Sequence, residues 1–179
     1  MISLIKDKNV KEFGDFQTPR ELAFEVCQLI SKLNIQPTSI VESTCGVGNF
    51  IQASRNIFYS SNIYGFDVSA KYTEIAKDKF KDDEKIEITN ENFFDKDWKT
   101  FFENIPKPIL ILGNPPWVTN SQLSVLESKN LPKKENFQNF RGLDAMTGKS
   151  NFDISEWMLI KLLEALDKQN AYLAMICKK

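Results

Sequence analysis

Histidine does not occur anywhere in this sequence. Its absence excludes Ser-His-Asp and Cys-His nucleophilic machinery and imidazole-based metal sites. If the chain is an enzyme, its chemistry runs without an imidazole base. Cysteine is scarce, and Cys27, Cys45 and Cys177 share no metal or redox spacing. The expectation is a reduced, cytoplasmic protein without a metal site. No apolar run approaches the roughly 20 residues of a membrane span, and the opening stretch MISLIKDKNVKEF lacks the apolar core of a signal peptide. Neither sign of charge dominates: 23 Lys and Arg oppose 24 Asp and Glu, for a net charge of -1. The chain as a whole is therefore no electrostatic attractor of DNA. A nucleic-acid enzyme of this composition would concentrate its positive charge locally or take it from another domain.

What is present is an ordinary mixture, 42% apolar and 26% charged over 179 residues, enough for a single domain with a hydrophobic core. Apolar runs alternate with helical patterns, which predicts an α/β fold with a mainly parallel central sheet. Thr18-Pro19-Arg20-Glu21 reads as a helix start. Thr18 is placed to cap, Pro19 suits the first turn, and Glu21 completes a capping box. Leu22, Val26, Leu29, Ile30 and Leu33 then share one face, and Asn34 and Pro37 end the helix. Strands are expected at 39–42, 63–67, 86–89, 108–112 and 171–177, with helices from about Asn49, from Ser69 or Ala70 to about Phe80, and from about Asp153 to Lys168. In the last helix Trp157, Ile160, Leu163 and Leu166 are the core candidates. Residues 118–150 show little periodicity and carry Lys129, Lys133, Lys134, Arg141 and Lys149, a long functional or mobile loop.

Between the first strand and its helix lies Glu42-Ser43-Thr44-Cys45-Gly46-Val47-Gly48-Asn49-Phe50. Gly46 and Gly48 let the backbone approach a ligand, and the helix start offers free N–H groups. Asp67 ends the second strand about twenty residues later, where a carboxylate accepts both hydroxyls of a ribose. The loop lacks the Gly-Lys-Ser/Thr ending of a phosphate-binding loop and the third glycine of a dinucleotide fingerprint. Glu42 sits where an ammonium group would be held. A ligand with a ribose and an amino-acid moiety fits better than a pyrophosphate.

Asn114-Pro115-Pro116-Trp117 follows the fourth strand, at the end of the sheet where open α/β folds bind ligands. Two prolines fix φ and remove two N–H donors. The Asn114 side-chain oxygen and the Pro115 carbonyl remain as rigid acceptors. Such a pair suits the amine of an aromatic base. Its lone pair is delocalised into the ring, and acceptors on its hydrogens favour sp3 geometry and stabilise the positive charge that grows on nitrogen during methyl transfer. No general base is needed beforehand, in keeping with a chain that lacks histidine. Trp117 offers a flat face on which an extruded base would stack.

On these residues the chain resembles the N6-adenine DNA methyltransferases of restriction–modification systems whose cofactor motifs precede the catalytic one. The resemblance implies a Rossmann-like fold that binds S-adenosylmethionine and methylates a flipped adenine in DNA. It places Phe16, Gln17 and Thr18, within Phe13–Pro19, at the cofactor's methionine end. Glu42, Thr44, Cys45, Gly46 and Gly48 form the cofactor loop. Asp67 is its ribose-binding acid, Val68 is a further cofactor contact, and Asn92 and Phe93 lie at its adenine. Asn114, Pro115, Pro116 and Trp117 are implied as catalytic, Asn114 also touching the cofactor, and Trp117 and Phe152 as substrate contacts. Ser150–Asp153 opens the motif after the loop, and Ala171–Lys179 resembles the next strand motif. On this reading, a single domain over 1–179 divides into an N-terminal cofactor motif and helix (1–37), a cofactor-binding half running through the catalytic motif (38–117), the long loop (118–150), and a helix with the fifth strand (151–179).

Asn92-Phe93 departs from the pattern, since the family usually places Asp there. Members also continue beyond a fifth strand with further strands and a target-recognition domain. The expectation is therefore a chain truncated before that domain, which relies on a separate specificity or C-terminal portion for DNA recognition. Three alternatives use the same acceptor logic or the same fold: a protein glutamine N5-methyltransferase, an RNA guanine N2-methyltransferase, and an inactive cofactor-binding fragment.

Overall fold

A computed structural model describes residues 17–117 and 154–177. The order of elements is α1 (Arg20–Ser31), β1 (Ser39–Glu42), α2 (Asn49–Ile57), β2 (Asn62–Asp67), α3 (Ala70–Phe80), β3 (Ile86–Asn90), α4 (Trp98–Asn104), β4 (Ile109–Gly113), α5 (Ile154–Ala165) and β5 (Ala171–Met175). The chain forms two compact units. One comprises 17–115 and 160–179; the other comprises 1–16 and 116–159. Of the second unit, the described residues are Pro116, Trp117 and the first half of α5, in which Ile154, Trp157 and Met158 are buried.

The first unit holds a five-stranded, all-parallel sheet in the order β3-β2-β1-β4-β5. It is an α/β Rossmann-like fold. The chain steps outward from β1 to β3 and then restarts on the other side of β1. The strand order reverses between β1 and β4, and ligand crevices form where two neighbouring strands send their chains in opposite directions. All four residues of β1 and all five of β4 are buried, as a parallel sheet covered on both faces requires.

Alternation along β2 shows how the faces are filled. A Cβ at Gly65 would collide with Ile51 of α2, so Gly65 and its neighbour Ile63 look toward the α2 side. There Ala23, Cys27, Ile30, Ile40, Phe50, Ile51, Leu110 and Leu112 form one core. Tyr64 and Phe66 look the opposite way, onto α4: Tyr64 meets Phe101 edge-on at 5.5 Å and Phe66 meets Trp98 at 5.3 Å. Phe93 and Phe102 extend this second, aromatic core. Lys96 closes it, lying 4.3 Å from the Phe66 ring and 4.5 Å from the Phe101 ring while bonding Glu91 at 2.9 Å.

Three sequence-based expectations are corrected, and one element is added. Thr18 does not cap α1. The helix starts at Arg20 with Pro19 at the N-cap and no side-chain cap, because the Thr18 hydroxyl has a partner on Asn114. The buried stripe of α1 is Ala23, Cys27 and Ile30, whereas Leu22, Leu29 and Leu33 are exposed. Periodicity picked the larger side chains, but α1 lies against α2 through small residues, Cys27 Sγ standing 3.7 Å from Ser54 Oγ. In α5, Leu162 is fully buried while Leu163 is exposed. Finally, α4 is an element the sequence reading missed. Its start is marked by Asp97, whose carboxylate accepts from Thr100 N at 3.0 Å and Thr100 Oγ1 at 2.8 Å.

Truncating a fully buried side chain loses both transfer free energy and packing. Leu162→Ala is expected to lower the unfolding free energy by about 2–5 kcal/mol, and its exposed neighbour Leu163→Ala by less than about 0.5 kcal/mol. Urea denaturation followed by circular dichroism checks the difference; equal losses would contradict the placement of α5.

Candidate active site

The carboxyl ends of β1, β2 and β4 bring most of the expected residues together. From Glu42 the chain turns through Ser43, Thr44 and Cys45 into Gly46 and Gly48, which adopt φ of 50° and 79°. Both values favour glycine, and both positions are also crowded. A Cβ on Gly46 would collide with the Gln17 carboxamide, and one on Gly48 would lie 2.6 Å from the Phe80 ring. The turn is fastened to β2 by two hydrogen bonds. Cys45 N donates to Phe66 O at 2.7 Å, and Gly46 N donates to Asp67 Oδ2 at 2.8 Å. The other Asp67 oxygen accepts from Ser69 N at 2.8 Å. Asp67 therefore shapes the glycine turn and the entry to α3. Each carboxylate oxygen has more than one acceptor site, so holding the turn does not use up its capacity. Val68, next in the chain, is an apolar residue left 40% exposed.

Glu42 is the electrostatic centre of the cluster. It is 3% exposed, and its Oε2 has no partner among the described residues; the same holds for Ser43 Oγ and Thr44 Oγ1. Three successive side chains thus present buried, unsatisfied oxygens, each costly unless something supplies a hydrogen bond. Burial raises the Glu42 carboxyl well above its ordinary value. The nearby Asp67 charge adds to this, and an Ile51 backbone hydrogen bond and Lys79 oppose it. Lys79 reaches the turn itself, donating to Gly48 O at 3.4 Å, and its own value is lowered by burial and by Arg20. The Cys45 thiol is pushed up by burial, then by Glu42 and Asp67, so it stays a small neutral residue in the turn rather than a nucleophile.

β4 delivers Asn114. Gly113, just before it, faces Glu42: a Cβ there would lie 3.6 Å from Glu42 Cγ. The Asn114 amide donates from Nδ2 to Thr18 Oγ1 at 3.3 Å. Thr18 O in turn accepts from Asn49 Nδ2 at 2.9 Å, and Gln17 Oε1 accepts from Val47 N at 3.1 Å. Residues 17–18 thereby join the glycine turn to the end of β4. Asn49 was not among the expected site residues. As the first residue of a helix after glycine it reads as a helix starter, and nothing in the sequence marks its link to Thr18.

The remaining candidates follow β3 and β4 or lie outside the described residues; the end of β3 is tied to the cluster, since Glu91 N and Asn90 Nδ2 both donate to Asp67 O, at 3.0 and 2.8 Å. Asn92 Oδ1 accepts from Phe94 N at 3.0 Å, which makes it a turn former after β3. Phe93 is buried, its ring 5.1 Å from that of Trp98, so it is a member of the aromatic core rather than an exposed face. Pro115 is buried and completes the first unit's stretch; Pro116 and Trp117, half-buried, belong to the second unit. Phe16 and Phe152 lie outside the described residues, as do the long loop and the motif at 150–153. Among the described residues there is no cluster of metal-ligating side chains and no helix long and apolar enough to cross a membrane.

Comparison with known proteins identifies the family. The family model described as N-6 DNA Methylase matches residues 1–179. The chain is 51% identical over 175 residues to the Type II methyltransferase M.NspV of Nostoc sp., covering 96% of this chain and 36% of that protein. It is 31% identical over 115 residues to M.CvrRI of Paramecium bursaria Chlorella virus XZ-6E, covering 64% of this chain and 27% of that one. It is 30% identical over 124 residues to M.VspI of Vibrio sp., covering 68% and 27% respectively. The chain spans 36% or less of the length of these relatives. With a parallel sheet reversing at β1, a glycine turn held by Asp67, and Asn114 at the end of β4, the chain belongs to the N-6 DNA methylase family.

Proposed function

We propose that this chain is the cofactor-binding and catalytic core of an S-adenosylmethionine-dependent methyltransferase that acts on adenine N6 in DNA, within a restriction–modification system. One observation carries the reading: the Asn114 carboxamide stands at the end of β4, linked through Thr18 to a glycine turn that is preceded by three side chains with buried, unsatisfied oxygens. The cofactor's chemistry fits those residues. It has an ammonium group, which Glu42 would accept at the floor of the turn, and ribose hydroxyls, which Asp67 would accept while still holding Gly46. It also has an adenine, against which the exposed Val68 would pack. Its carboxylate would lie near Thr18 and the start of α2. When bound, S-adenosylmethionine supplies a methyl group activated by a sulfonium.

The chain's own residues do the rest. Asn114 Oδ1 and Pro115 O would accept from the two hydrogens of the target amine and pull its lone pair out of conjugation with the ring. Both are acceptors only at those atoms, so they favour the state in which the nitrogen is becoming positive. No group of the cluster is asked to remove a proton first. Trp117 and Phe152 are the residues proposed to hold the extruded base by stacking. DNA sequence recognition would belong to a separate specificity portion, in line with a chain that covers little more than a third of M.NspV.

The decisive experiment combines calorimetric titration with S-adenosylmethionine and transfer of labelled methyl groups to DNA, to glutamine peptides and to RNA. Cofactor binding with transfer to adenine in DNA is expected. Transfer to peptide or RNA instead would replace the substrate assignment, and binding without any transfer would leave only a cofactor-binding fragment. Asn114→Ala is expected to lower the transfer rate by about 10²–10³-fold, the cost of losing one aligned polar group at a charge-developing centre, while cofactor affinity changes only a few-fold. If affinity fell in parallel with rate, Asn114 would be a cofactor contact and nothing more.

Glu42→Gln has two expected effects of opposite sign. A folded-state carboxyl held above its unfolded value binds its proton more tightly in the native protein. Stability is then highest below the unfolded value, about 4.3, and declines as pH rises through the raised folded value. The neutral amide removes that decline. The variant should therefore melt higher than the native protein at pH 7–8 and converge with it near pH 4, while binding S-adenosylmethionine more weakly. Thermal melts across pH, together with calorimetry, read both; unchanged melting at every pH would mean that burial of this carboxyl carries no cost.

A further inference from the structure

Thr18 is nine-tenths buried, yet it neither caps α1 nor packs as a core residue. Both of its oxygens take hydrogen bonds from side-chain amides that lie far away in sequence. Its carbonyl accepts from Asn49 Nδ2 at 2.9 Å, and its hydroxyl accepts from Asn114 Nδ2 at 3.3 Å. Its neighbour Gln17 is fixed by Val47 N, so Thr18 cannot move without disturbing the glycine turn. A primary carboxamide has one acceptor end and one donor end, nearly identical in size and shape, and it can turn by half a revolution about its terminal bond. Only one of the two orientations offers an oxygen to an amine. In the observed orientation Thr18 Oγ1 accepts from the nitrogen end, which leaves the oxygen end facing the other way. A backbone-anchored hydroxyl is well suited to the task, because its own position does not depend on a flexible stem.

We infer that Thr18 is a positioning residue for methyl transfer: clipped to the glycine turn through Asn49, it holds the Asn114 carboxamide with its oxygen end turned toward the target amine. This rests on the proposed methyl transfer by Asn114 and adds to it a role for Thr18 separate from any contact with the cofactor. The linkage also makes the orientation of Asn114 depend on the geometry of the glycine turn, since Asn49 and Val47 both belong to that stretch.

The test compares Thr18→Val, which keeps the shape but removes the acceptor, with Thr18→Ser, which keeps the hydroxyl. Two readouts are taken. The first is the side-chain amide signal of Asn114 in nitrogen-15 spectra of the cofactor-free protein, identified by its loss in Asn114→Ala. The second is the single-turnover rate of methyl transfer to DNA at saturating S-adenosylmethionine, with cofactor affinity measured separately. In T18V the amide signal should shift and its protons exchange faster with water. The transfer rate at saturating cofactor should drop roughly ten- to a hundred-fold, the scale expected from misaligning a reacting group, and by more than cofactor affinity falls. T18S should stay close to the native protein in both. Should T18V fail to fold, Thr18→Ala takes its place. An Asn114 signal unmoved in the hydroxyl-free variant overturns the inference whatever the activity. So does a rate loss matched by an equal loss of cofactor affinity, or one that T18S shares. A native protein that shows the Thr18-dependent amide signal but methylates no DNA would overturn the proposed function and, with it, the catalytic purpose given to Thr18.

Discussion

Strand β1 is paired on both edges and buried on both faces, and this confinement governs what the rest of the molecule can do with it. Parallel neighbours on either side leave no free edge, and α2 on one face and the opposite core leave no free surface. The chain can meet a ligand only where the strand ends. There it changes abruptly from apolar residues to Glu42, Ser43 and Thr44, whose oxygens remain buried. Polar atoms in such a place are a standing cost, one that evolution tolerates where a ligand completes their hydrogen bonding. The reversal of strand order beside β1 opens the space, and β4 brings Asn114 to the same end.

The site is assembled from separate parts of the chain, each held by a different bond. Asp67 reaches back from β2 to fix Gly46. Gln17 and Asn49 tie the segment before α1 to the turn, and Thr18 connects that segment with β4. The cluster therefore has two acidic residues with distinct tasks. Asp67 has both oxygens in hydrogen bonds to backbone N–H groups, whereas Glu42 is buried with an oxygen unsatisfied. Their mutual repulsion contributes to the upward displacement of Glu42. A cationic group arriving between them would relieve it.

Much of this was legible in the sequence because it depends on local signals. All five strands lie where the sequence reading expected them, β4 as a continuous apolar run and β3 as an alternation. The helix expected from Ser69 or Ala70 starts there, with Ser69 as its N-cap accepting from Tyr72 N. The glycine turn, its acidic partner and the Asn114 motif each follow a strand. What escaped depends on distant or small contacts. The capping role assigned to Thr18 followed a sound local rule, but a partner 96 residues away claimed the hydroxyl. In α1 Ile30 and Val26 meet the core as expected, but the leucines do not, because periodicity weighs leucine over alanine and cysteine while close helix packing does the reverse. Helix α4 is seven residues long and rich in aromatics, so its periodicity is too short to register, and only the Asp97 cap announced it. Phe93 read equally well as a ligand face or as core, and its packing against the Trp98 ring is a tertiary contact that no local signal displays.

The aromatic core on the far side of the sheet bears on how the protein would meet a polyanion. Lys96 directs its ammonium onto the rings of Phe66 and Phe101 and onto Glu91, with 13% of its side chain exposed. Arg55 is similarly engaged, paired with Asp83 at 2.6 Å and donating to the carbonyls of Tyr59 and Ser61. These two cations are neutralised internally and would displace few counterions from a phosphate backbone. The formal tally of basic residues thus overstates the attraction that either face of the sheet can exert. Long-range capture of a duplex would fall to other basic stretches, and the ionic-strength dependence of binding would report on those rather than on the sheet domain.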